Sequence, residues 1–408
     1  MRVLVLSDLY PPATRGGYEV ECHDVVEHLR ALGHQVVVLT STWRADRAPA
    51  DPRVLRRLPW TGEGVRRETL LAPLHSARAT RVARAALDEV RPDAIYVWNA
   101  GGVPSTALRV LQLHGAPLLV RVCEYWFGHV YSGDQFTGHL QAPAPGVRGL
   151  WDRAMAVAAR VVPPLRVDLA APRPAAVCWN SAFVKERAPA PPQFAVVHGA
   201  IVIPSNARTL ELDAIPRAPV AGRVLFVGRL GKTKGAQTVI RALGVLEREH
   251  GVRAELHAVG DGSPQERATL EALAREHGVA DRVTFTGPLR GAAFAAEVTA
   301  ASAWCVPSVW DEPAPLTCTE AALCRVPAVF SRVGGIPEMF EDGAQALFHE
   351  REDERGCAAA IADCLAGGPA VQARVEAALA RGRELSFGPY LEAMDRFLNE
   401  GIAALRAR

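Results

Sequence analysis

Two lysines, Lys232 and Lys234, lie in the loop GRLGKTKG at residues 228–235, and the 408-residue chain has only one other lysine. With 46 lysines and arginines in total, the chain carries its positive charge almost wholly on arginine. A lysine retained in such a chain indicates a need for a compact ammonium group rather than a planar guanidinium. The apolar run 223–227 predicts a buried parallel strand before the loop, and a helix is predicted from Ala236. This arrangement favours phosphate binding, with a solvated basic turn as the alternative.

Two carboxylates form a second group in the segment AWCVPSVWDEPAPLTCTEAALCR at residues 303–325. The pattern predicts a strand that ends at Pro307, a polar turn that carries Glu312, and a helix that starts near Pro315 and contains Glu320. The two glutamates are eight residues apart, so we expect them at different depths of one site and not as a close acid/base pair. Carboxylates accept hydrogen bonds from vicinal hydroxyls, and a helix N-terminus holds phosphate. Together with the basic loop, this favours a nucleotide sugar; helix capping by Glu312 and a solvated or paired Glu320 are the alternatives.

The elements that position these groups follow an alternation of apolar runs and helical patterns, which predicts α/β domains with parallel sheets. In the first half we predict strands at 2–6, 35–40, 94–98 and 117–122, and helices at 17–32 and 79–90. In the second half we predict strands at 223–227, 254–259, 282–285 and 303–306, and helices at 236–250, 264–277 and 291–301. A separate amphipathic helix is predicted at 389–405.

The two halves repeat one pattern, since the second begins with RVLFV and the first with RVLVL. We therefore predict an N-terminal domain at 1–203, a linker at 204–221 and a C-terminal domain at 222–388. Ligands of doubly wound sheets bind at the carboxyl ends of the strands. We expect the ligand of the lysine loop to lie in a cleft between the two domains.

The composition is that of an ordinary globular protein, with 49% hydrophobic and 22% charged residues. The net charge of +2 is too balanced to favour a nucleic-acid partner. We expect a cytoplasmic protein, because the first residues pass directly into a strand without a signal pattern and no apolar run approaches ~18 residues. The eight cysteines are scattered without a C-x-x-C pair, so reduced thiols are expected and a zinc site is not.

Five motifs in order resemble those of the retaining glycosyltransferases of family four, which have the two-domain GT-B fold. They are the opening SDLYPPATRGGYEVECHDVVEHLRALGHQVVVLTS and the later runs VGRLGKTKGAQTVIRAL, AVGDG, EPAPLTCTEAALCRVPAV and VGGIPEMFEDG. The resemblance extends over nearly the whole chain. It implies an α/β fold of two doubly wound Rossmann-like domains that face a cleft, with a C-terminal helix, 389–408, that crosses back to pack on the N-terminal domain.

The resemblance also implies a role for each matching residue. Arg229 and Lys234 would clamp the diphosphate of the donor and stabilise the charge that develops as the sugar leaves. Glu320 would accept hydrogen bonds from the ribose, and Glu312 from hydroxyls of the donor sugar. Lys232 has no fixed role and is expected to face solvent. Backbone amides would complete the phosphate cradle, and they belong to Gly16, Gly17, Leu316 and Thr317.

The implied activity is transfer of a hexose-type sugar from a nucleoside-diphosphate sugar to an acceptor hydroxyl, with retention of anomeric configuration. The acceptor would be a small molecule, a glycan or a lipid-linked molecule, and the pathway carbohydrate biosynthesis. No cofactor or metal is required, and the leaving phosphate oxygen takes the acceptor proton. Two alternatives remain open, a nucleotide-sugar epimerase of the same fold and a non-catalytic protein that binds nucleotide sugars.

The chain departs from the family pattern on the acceptor side. Where relatives carry histidines, this sequence has Asn99 after one predicted strand and Glu124 in the run CEYW. Both are candidate acceptor residues: Glu124 would orient or deprotonate an acceptor hydroxyl, with a salt bridge to an arginine as the alternative. Pro315 lacks an N–H, so the donor phosphate would depend on the amides beyond it. A predicted helix at 151–162 has an apolar face that favours core packing, with peripheral membrane docking as the alternative.

Overall fold

The chain forms two compact units in a computed structural model. The structure describes residues 1–62, 66–138, 147–162, 166–205 and 212–408. One unit comprises Met1–Val202 and Leu391–Arg408, and the other comprises Ile203–Tyr390. The linker expected at 204–221 therefore falls in the second unit where it is described; its residues 206–211 lie outside the described part of the chain.

The first unit is built on a sheet of seven parallel strands in the order β3-β2-β1-β4-β5-β6-β7. In the register, Leu4 of the first strand lies between Val37 and Ile95 of its two neighbours. The central strands are mostly apolar and are buried except for Arg2, as expected for a parallel sheet covered on both faces. The strands are β1 (Arg2–Ser7), β2 (Gln35–Ser41), β3 (Val54–Leu58), β4 (Ala94–Asn99), β5 (Leu118–Val122), β6 (Arg173–Trp179) and β7 (Phe194–Ile201).

Within the described residues of this unit, five α-helices connect these strands. They are α1 (Gly17–Ala31), α2 (Arg66–Val90), α3 (Ser105–Leu113), α4 (Val147–Val161) and α5 (Ala182–Arg187). The second helix was predicted at 79–90 but begins earlier, at Arg66. Pro73 lies inside it and removes one backbone donor without ending the helix. Met155 and Ala159 of α4 pack with Ala72 and Phe136, in agreement with the core-packing interpretation of this helix.

The second unit contains a sheet of six parallel strands in the order β10-β9-β8-β11-β12-β13. Its strands are β8 (Arg223–Val227), β9 (Glu255–Val259), β10 (Val283–Gly287), β11 (Ala303–Val306), β12 (Ala328–Ser331) and β13 (Leu347–His349). Its helices are α6 (Ala236–His250), α7 (Pro264–Glu276), α8 (Gly291–Ala300), α9 (Leu316–Leu323), α10 (Ile336–Met339), α11 (Glu354–Ala366) and α12 (Pro369–Glu384). The two parallel sheets with their helices confirm the predicted α/β class with two Rossmann-like domains.

The last helix, α13 (Phe387–Arg406), begins in the second unit and contributes most of its length to the first. Phe397 lies against Tyr96 of β4, with ring centroids 6.3 Å apart. His28 of α1 forms a 2.7 Å contact with Asp395 through its Nε2 atom. Within the described residues, no helix combines the length and the apolar character needed to cross a membrane.

Each sheet has a point where the strand order reverses, between β1 and β4 in the first unit and between β8 and β11 in the second. The connections that follow these strands lead to opposite faces of the sheet, which is typical of the carboxyl edge where doubly wound sheets form a crevice. Ligands of doubly wound sheets bind at such points. The two reversal points are therefore the places where functional side chains are expected.

Candidate functional site

At the reversal point of the second unit, the loop after β8 lies directly against the loop after β11. The Val309 amide donates to the Thr233 carbonyl at 2.9 Å. Gly235, which precedes α6, has φ of 81°, and a Cβ atom there would lie 1.8 Å from the Pro307 carbonyl oxygen. Only glycine fits this position, because both the backbone conformation and the space exclude a side chain. The glycine thus brings the lysine loop onto the carboxyl end of β11.

This approach places Lys234 beside Glu312. The Lys234 Nζ atom lies 2.6 Å from Oε1 of Glu312, and the two side chains are 26% and 4% exposed. The Ser308 hydroxyl donates to the same Oε1 atom at 2.7 Å. Both bonds fall on one carboxylate oxygen, so Oε2 carries neither of them. A cation and a carboxylate that is fixed on one side therefore meet at the carboxyl edge of the sheet.

The backbone around Glu312 is held by the next strand, β12. The Ser331 hydroxyl, at the end of that strand, donates to the Ser308 carbonyl at 2.7 Å. The Gly335 amide donates to the Glu312 carbonyl at 2.8 Å. A Cβ atom on Gly334 would lie 2.0 Å from that same carbonyl oxygen. The ends of three neighbouring strands thus fix the carboxylate, which favours a preorganised binding group.

Glu312 does not cap α9, so that alternative from the sequence is wrong. The N-cap residue is Pro315, and among the described residues no side chain caps the helix. The reason is that the Glu312 carboxylate is turned to Lys234 and Ser308 instead. Leu316 and Thr317 are the first two residues of the helix, where amides lack intrahelical acceptors.

Glu320 lies more than one turn inside α9 and is half-buried. Burial raises the pKa of its carboxyl to about 7, well above the usual value near 4. A carboxylate in such a place gains from hydrogen bonds that favour its charged form, such as those from ligand hydroxyls. The group is thus suited to a polar ligand that binds at the mouth of the helix.

The two other cations of the loop are exposed. Lys232 faces solvent, as expected from the sequence. Arg229 lies near Glu266 at the start of α7: hydrogen bonds from Ser263 lower the pKa of Glu266, and the positive charge of Arg229 adds to this effect. Among the described residues, no hydrogen bond or ion pair joins Arg229 to Lys234 or Glu312. The structure thus brings Lys234 and Glu312 together and leaves Arg229 at the rim.

The diglycine of the first unit lies at the start of α1. Gly16 is the N-cap residue and Gly17 the first residue of the helix, and both are exposed. The Gly16 amide donates to Oε2 of the buried Glu19 at 3.0 Å. The Glu19 carboxylate therefore already accepts the hydrogen bond from the Gly16 amide that was predicted to bind phosphate. A phosphate at Gly16 has to displace this carboxylate or share the amide with it.

The reversal point of the first unit is organised around Asp8, a residue not singled out from the sequence. Asp8 follows β1 directly and is buried, and its two carboxylate oxygens accept from the Leu9 amide at 2.8 Å and the Gly102 amide at 2.9 Å. Burial raises the pKa of Asp8 to about 7 against the lowering effect of the Leu9 amide, and the negative charges of Glu19 and Glu124 add to the rise.

The two candidate acceptor residues lie at the same edge. Asn99, at the end of β4, is buried, and its side-chain oxygen accepts from the Gly101 amide at 2.8 Å. Glu124 is exposed two residues after β5. Asn99 thus stabilises the turn that also supplies the Gly102 amide to Asp8. A polar residue directly after a central strand was the signal that would have identified Asp8.

Two family models match the chain, one for each half. "Glycosyl transferase 4-like domain" matches residues 16–190, and "Glycosyl transferases group 1" matches residues 218–381. A D-inositol 3-phosphate glycosyltransferase of Actinosynnema mirum is 38% identical over 136 residues, which is 32% of each chain. The glycogen synthase of Mycobacterium tuberculosis is 27% identical over 93% of this chain and 90% of its own.

The solved structures share the fold. The Anabaena protein Alr3699/HepE, solved in complex with UDP, superposes with a TM-score of 0.66 at 17% identity, over 98% of this chain and 100% of its own. A likeness at this level of identity concerns the architecture alone. It agrees with the two parallel sheets described above.

Proposed function

Because this chain belongs to the family-four type of glycosyltransferases with the GT-B fold and is a hexosyltransferase, we propose that it uses a nucleoside-diphosphate sugar as donor. The sugar passes to an acceptor hydroxyl with retention of anomeric configuration and without a metal ion. The observation that carries this proposal is the contact between Lys234 and Glu312 at the reversal point of the second unit. A diphosphate needs a cation, and a sugar needs a hydrogen-bond acceptor beside it.

Lys234 changes partner when the donor binds. In the structure its ammonium group is paired with Glu312. A diphosphate carries more negative charge than one carboxylate, so it attracts the ammonium strongly at short range. Glu312 remains held by Ser308 and accepts hydrogen bonds from hydroxyls of the donor sugar. The ion pair thus keeps both groups in place before the donor arrives.

The remaining residues bind the other parts of the donor. Glu320 accepts hydrogen bonds from the ribose hydroxyls, which stabilise its ionised form. The amides of Leu316 and Thr317 donate to phosphate oxygens at the N-terminus of α9, where the helix dipole favours negative charge. Arg229 moves from the rim to the diphosphate.

The chemistry is electrostatic stabilisation of the leaving group. As the bond between the sugar and the phosphate breaks, positive charge develops on the sugar ring and negative charge on the diphosphate. Lys234 stabilises that negative charge, and a preplaced group of this kind is worth roughly 3–4 kcal/mol. The leaving phosphate oxygen accepts the proton of the attacking hydroxyl, so the new bond forms on the face from which the diphosphate leaves.

One structural relative supports the choice of donor. The Anabaena protein Alr3699/HepE was solved with UDP and also with UDP-glucose. The sequence relatives include a D-inositol 3-phosphate glycosyltransferase and a glycogen synthase. UDP-sugars are therefore the first donors to test, with GDP- and ADP-sugars beside them.

The test is an activity measurement with purified protein, a panel of UDP-, GDP- and ADP-hexoses, and a panel of hydroxyl acceptors. We expect at least one donor to release nucleoside diphosphate, faster with a suitable acceptor, and the rate to be unchanged by excess EDTA. NMR of the product should show the anomeric configuration of the donor. Inversion would contradict retention, loss of activity with EDTA would contradict metal independence, and sugar interconversion without an acceptor would indicate an epimerase.

A further inference from the structure

Three tryptophans follow strands at the carboxyl edge of the first unit. Trp43 comes two residues after β2, Trp60 two residues after β3, and Trp126 four residues after β5. Because all these strands are parallel, their carboxyl ends meet at one edge of the sheet. Each of the three indoles is only partly buried. The edge of the sheet that holds Asp8 thus also carries exposed aromatic surface.

Trp60 and Asp8 flank the same backbone position. A Cβ atom on Gly102 would lie 2.1 Å from the Trp60 ring and 2.8 Å from Oδ2 of Asp8. The Thr61 amide donates to the Gly102 carbonyl at 2.9 Å, which ties the loop of Trp60 to the loop after β4. Gly102 therefore allows an indole ring and a carboxylate to lie side by side.

The other two indoles border this pair. The ring centroids of Trp43 and Trp60 are 5.7 Å apart at an angle of 36°. The Arg44 guanidinium lies 4.0 Å from the Trp43 ring centroid and covers one of its faces. On the other side, Trp126 lies against Gly101: a Cβ atom on Gly101 would lie 3.1 Å from the Cβ atom of Trp126. Trp60 is thus the central ring of the group.

This combination matches the chemistry of a saccharide. One face of a pyranose ring consists of C–H groups that pack on an aromatic ring, and its rim consists of hydroxyls that donate to carboxylates. Each Asp8 carboxylate oxygen already accepts a hydrogen bond from one backbone amide, and its second lone pair can accept one from a hydroxyl. A flat phenolic ring would use the indole but would supply only one hydroxyl.

We propose that Asp8, Trp60 and the flanking Trp43 and Trp126 form a saccharide subsite, in which a hexopyranosyl ring of the acceptor packs on Trp60 and donates a hydroxyl to Asp8. The identification of this saccharide as the acceptor rests on the proposed function. The binding of a saccharide at this place does not rest on it. Trp60 and Asp8 act here by positioning the saccharide.

The test is saturation-transfer NMR with the full-length protein and a panel of methyl hexopyranosides and methyl disaccharides as probes, beside 4-nitrophenol. We expect at least one saccharide to receive saturation, strongest at its C–H protons. Trp60→Ala should weaken that binding by about tenfold or more, whereas Trp60→Phe keeps an aromatic face and most of the affinity. Asp8→Asn should weaken it by about tenfold, with the exposed Asp46→Asn as the matched control.

Circular dichroism and UDP titration, run on every variant, separate the possible failures. Loss of saccharide binding with a retained fold and unchanged nucleotide binding supports the subsite. The inference is overturned if no saccharide receives saturation, if only 4-nitrophenol binds, or if Trp60→Ala binds the saccharide as wild type does. A wild-type protein that binds saccharides but no nucleotide would refute the proposed function and leave the saccharide subsite standing.

Discussion

The two reversal points share one backbone plan and differ in their side chains. In the second unit, the loops after β8 and β11 bring an ammonium group to a carboxylate, Lys234 to Glu312, at 2.6 Å. In the first unit, the loops after β1 and β4 bring backbone amides to the carboxylate of Asp8. The loops of the second unit place a cation beside a carboxylate, and those of the first unit place a carboxylate beside indole rings.

This difference shows how one fold provides two kinds of binding. We expect the ammonium group in the second unit to change partner, because a more highly charged anion attracts it more strongly than Glu312 does. In the first unit the carboxylate receives only dipoles from the two amides, and burial leaves its pKa at about 7. The former suits a diphosphate and the latter a neutral polyol.

The largest effect is expected from Lys234→Met, which removes the cation but keeps the length of the side chain. We expect kcat/KM to fall by about 10²–10³-fold, because the charge on the leaving diphosphate loses its preplaced partner. Lys232→Met is the matched control, since Lys232 lies two residues away and is exposed. It should stay within about twofold of wild type. Equal losses in the two variants, with both folded, would show that the loop acts only through its overall charge.

The next effect concerns the close approach of the two loops. Gly235 precedes α6 and Gly251 follows it, and both have positive φ, 81° and 68°. A Cβ atom on Gly235 meets the Pro307 carbonyl oxygen, whereas one on Gly251 has no heavy atom within 4 Å. Gly251→Ala should lower the free energy of unfolding by about 1 kcal/mol through backbone strain alone. Gly235→Ala should lower it by about 3 kcal/mol or more.

Chemical denaturation at equilibrium measures both glycine variants. A Gly235→Ala variant as stable as Gly251→Ala would mean that the loops after β8 and β11 separate without cost. The Lys234–Glu312 contact would then not be fixed by the backbone.

A smaller effect is expected in the pH dependence of stability. The pKa values of Glu320 and Asp8 are raised to about 7, so the folded protein holds these protons to higher pH than the unfolded chain, whose carboxyls titrate near 4. The stability that protonation contributes is complete below about pH 4 and is lost as the pH rises through about 7. Glu320→Gln and Asp8→Asn should each reduce this loss, on the order of 2 kcal/mol.

Denaturation of wild type and both variants between pH 5 and pH 8, taken as differences from wild type, measures this effect. A variant with the same pH profile as wild type would show that its carboxyl titrates normally. If only one profile flattens, the two units differ in the burial of their carboxyls.

The smallest effect is expected from Ser308→Ala, which removes one hydrogen bond from Glu312 and keeps Lys234. We expect kcat/KM to fall by about tenfold, or roughly 1.4 kcal/mol, since Glu312 loses one of its two anchors. The exposed Ser263 on the neighbouring loop provides a control, because Ser263→Ala removes a helix cap remote from Glu312. A loss as large as that of Lys234→Met would mean that the position of Glu312 matters as much as the cation.

Most of the second unit could be predicted from the sequence, because its signals are local. The apolar run 223–227 and the helix from Ala236 were placed correctly, and glycine-rich turns between them are typical of phosphate loops. The position of Glu312 on a loop was predicted too. Its contacts with Lys234 and Ser308 were not, because they join residues that are distant in the sequence, and only the strand order brings them together.

The first unit was less predictable for the same reason. Asn99 and Glu124 were singled out because they stand where a family pattern is broken. Asp8 does not stand at a break in the family pattern, and its contact with the amide of Gly102 joins residues that are 94 positions apart in the sequence. The tryptophan group depends on the order of strands β3, β2 and β1, which the residue pattern alone does not specify.

Calorimetric titration of the nucleoside diphosphates UDP, GDP and ADP into the wild-type, Lys234→Met and Lys232→Met proteins tests whether Lys234 binds the diphosphate of the donor. We expect at least one of the three nucleotides to bind wild type, Lys234→Met to weaken this binding by about tenfold or more, and Lys232→Met to leave it within about twofold. If none of the three binds, or if both lysines contribute equally, the assignment of a donor site to Lys234 and Glu312 is contradicted.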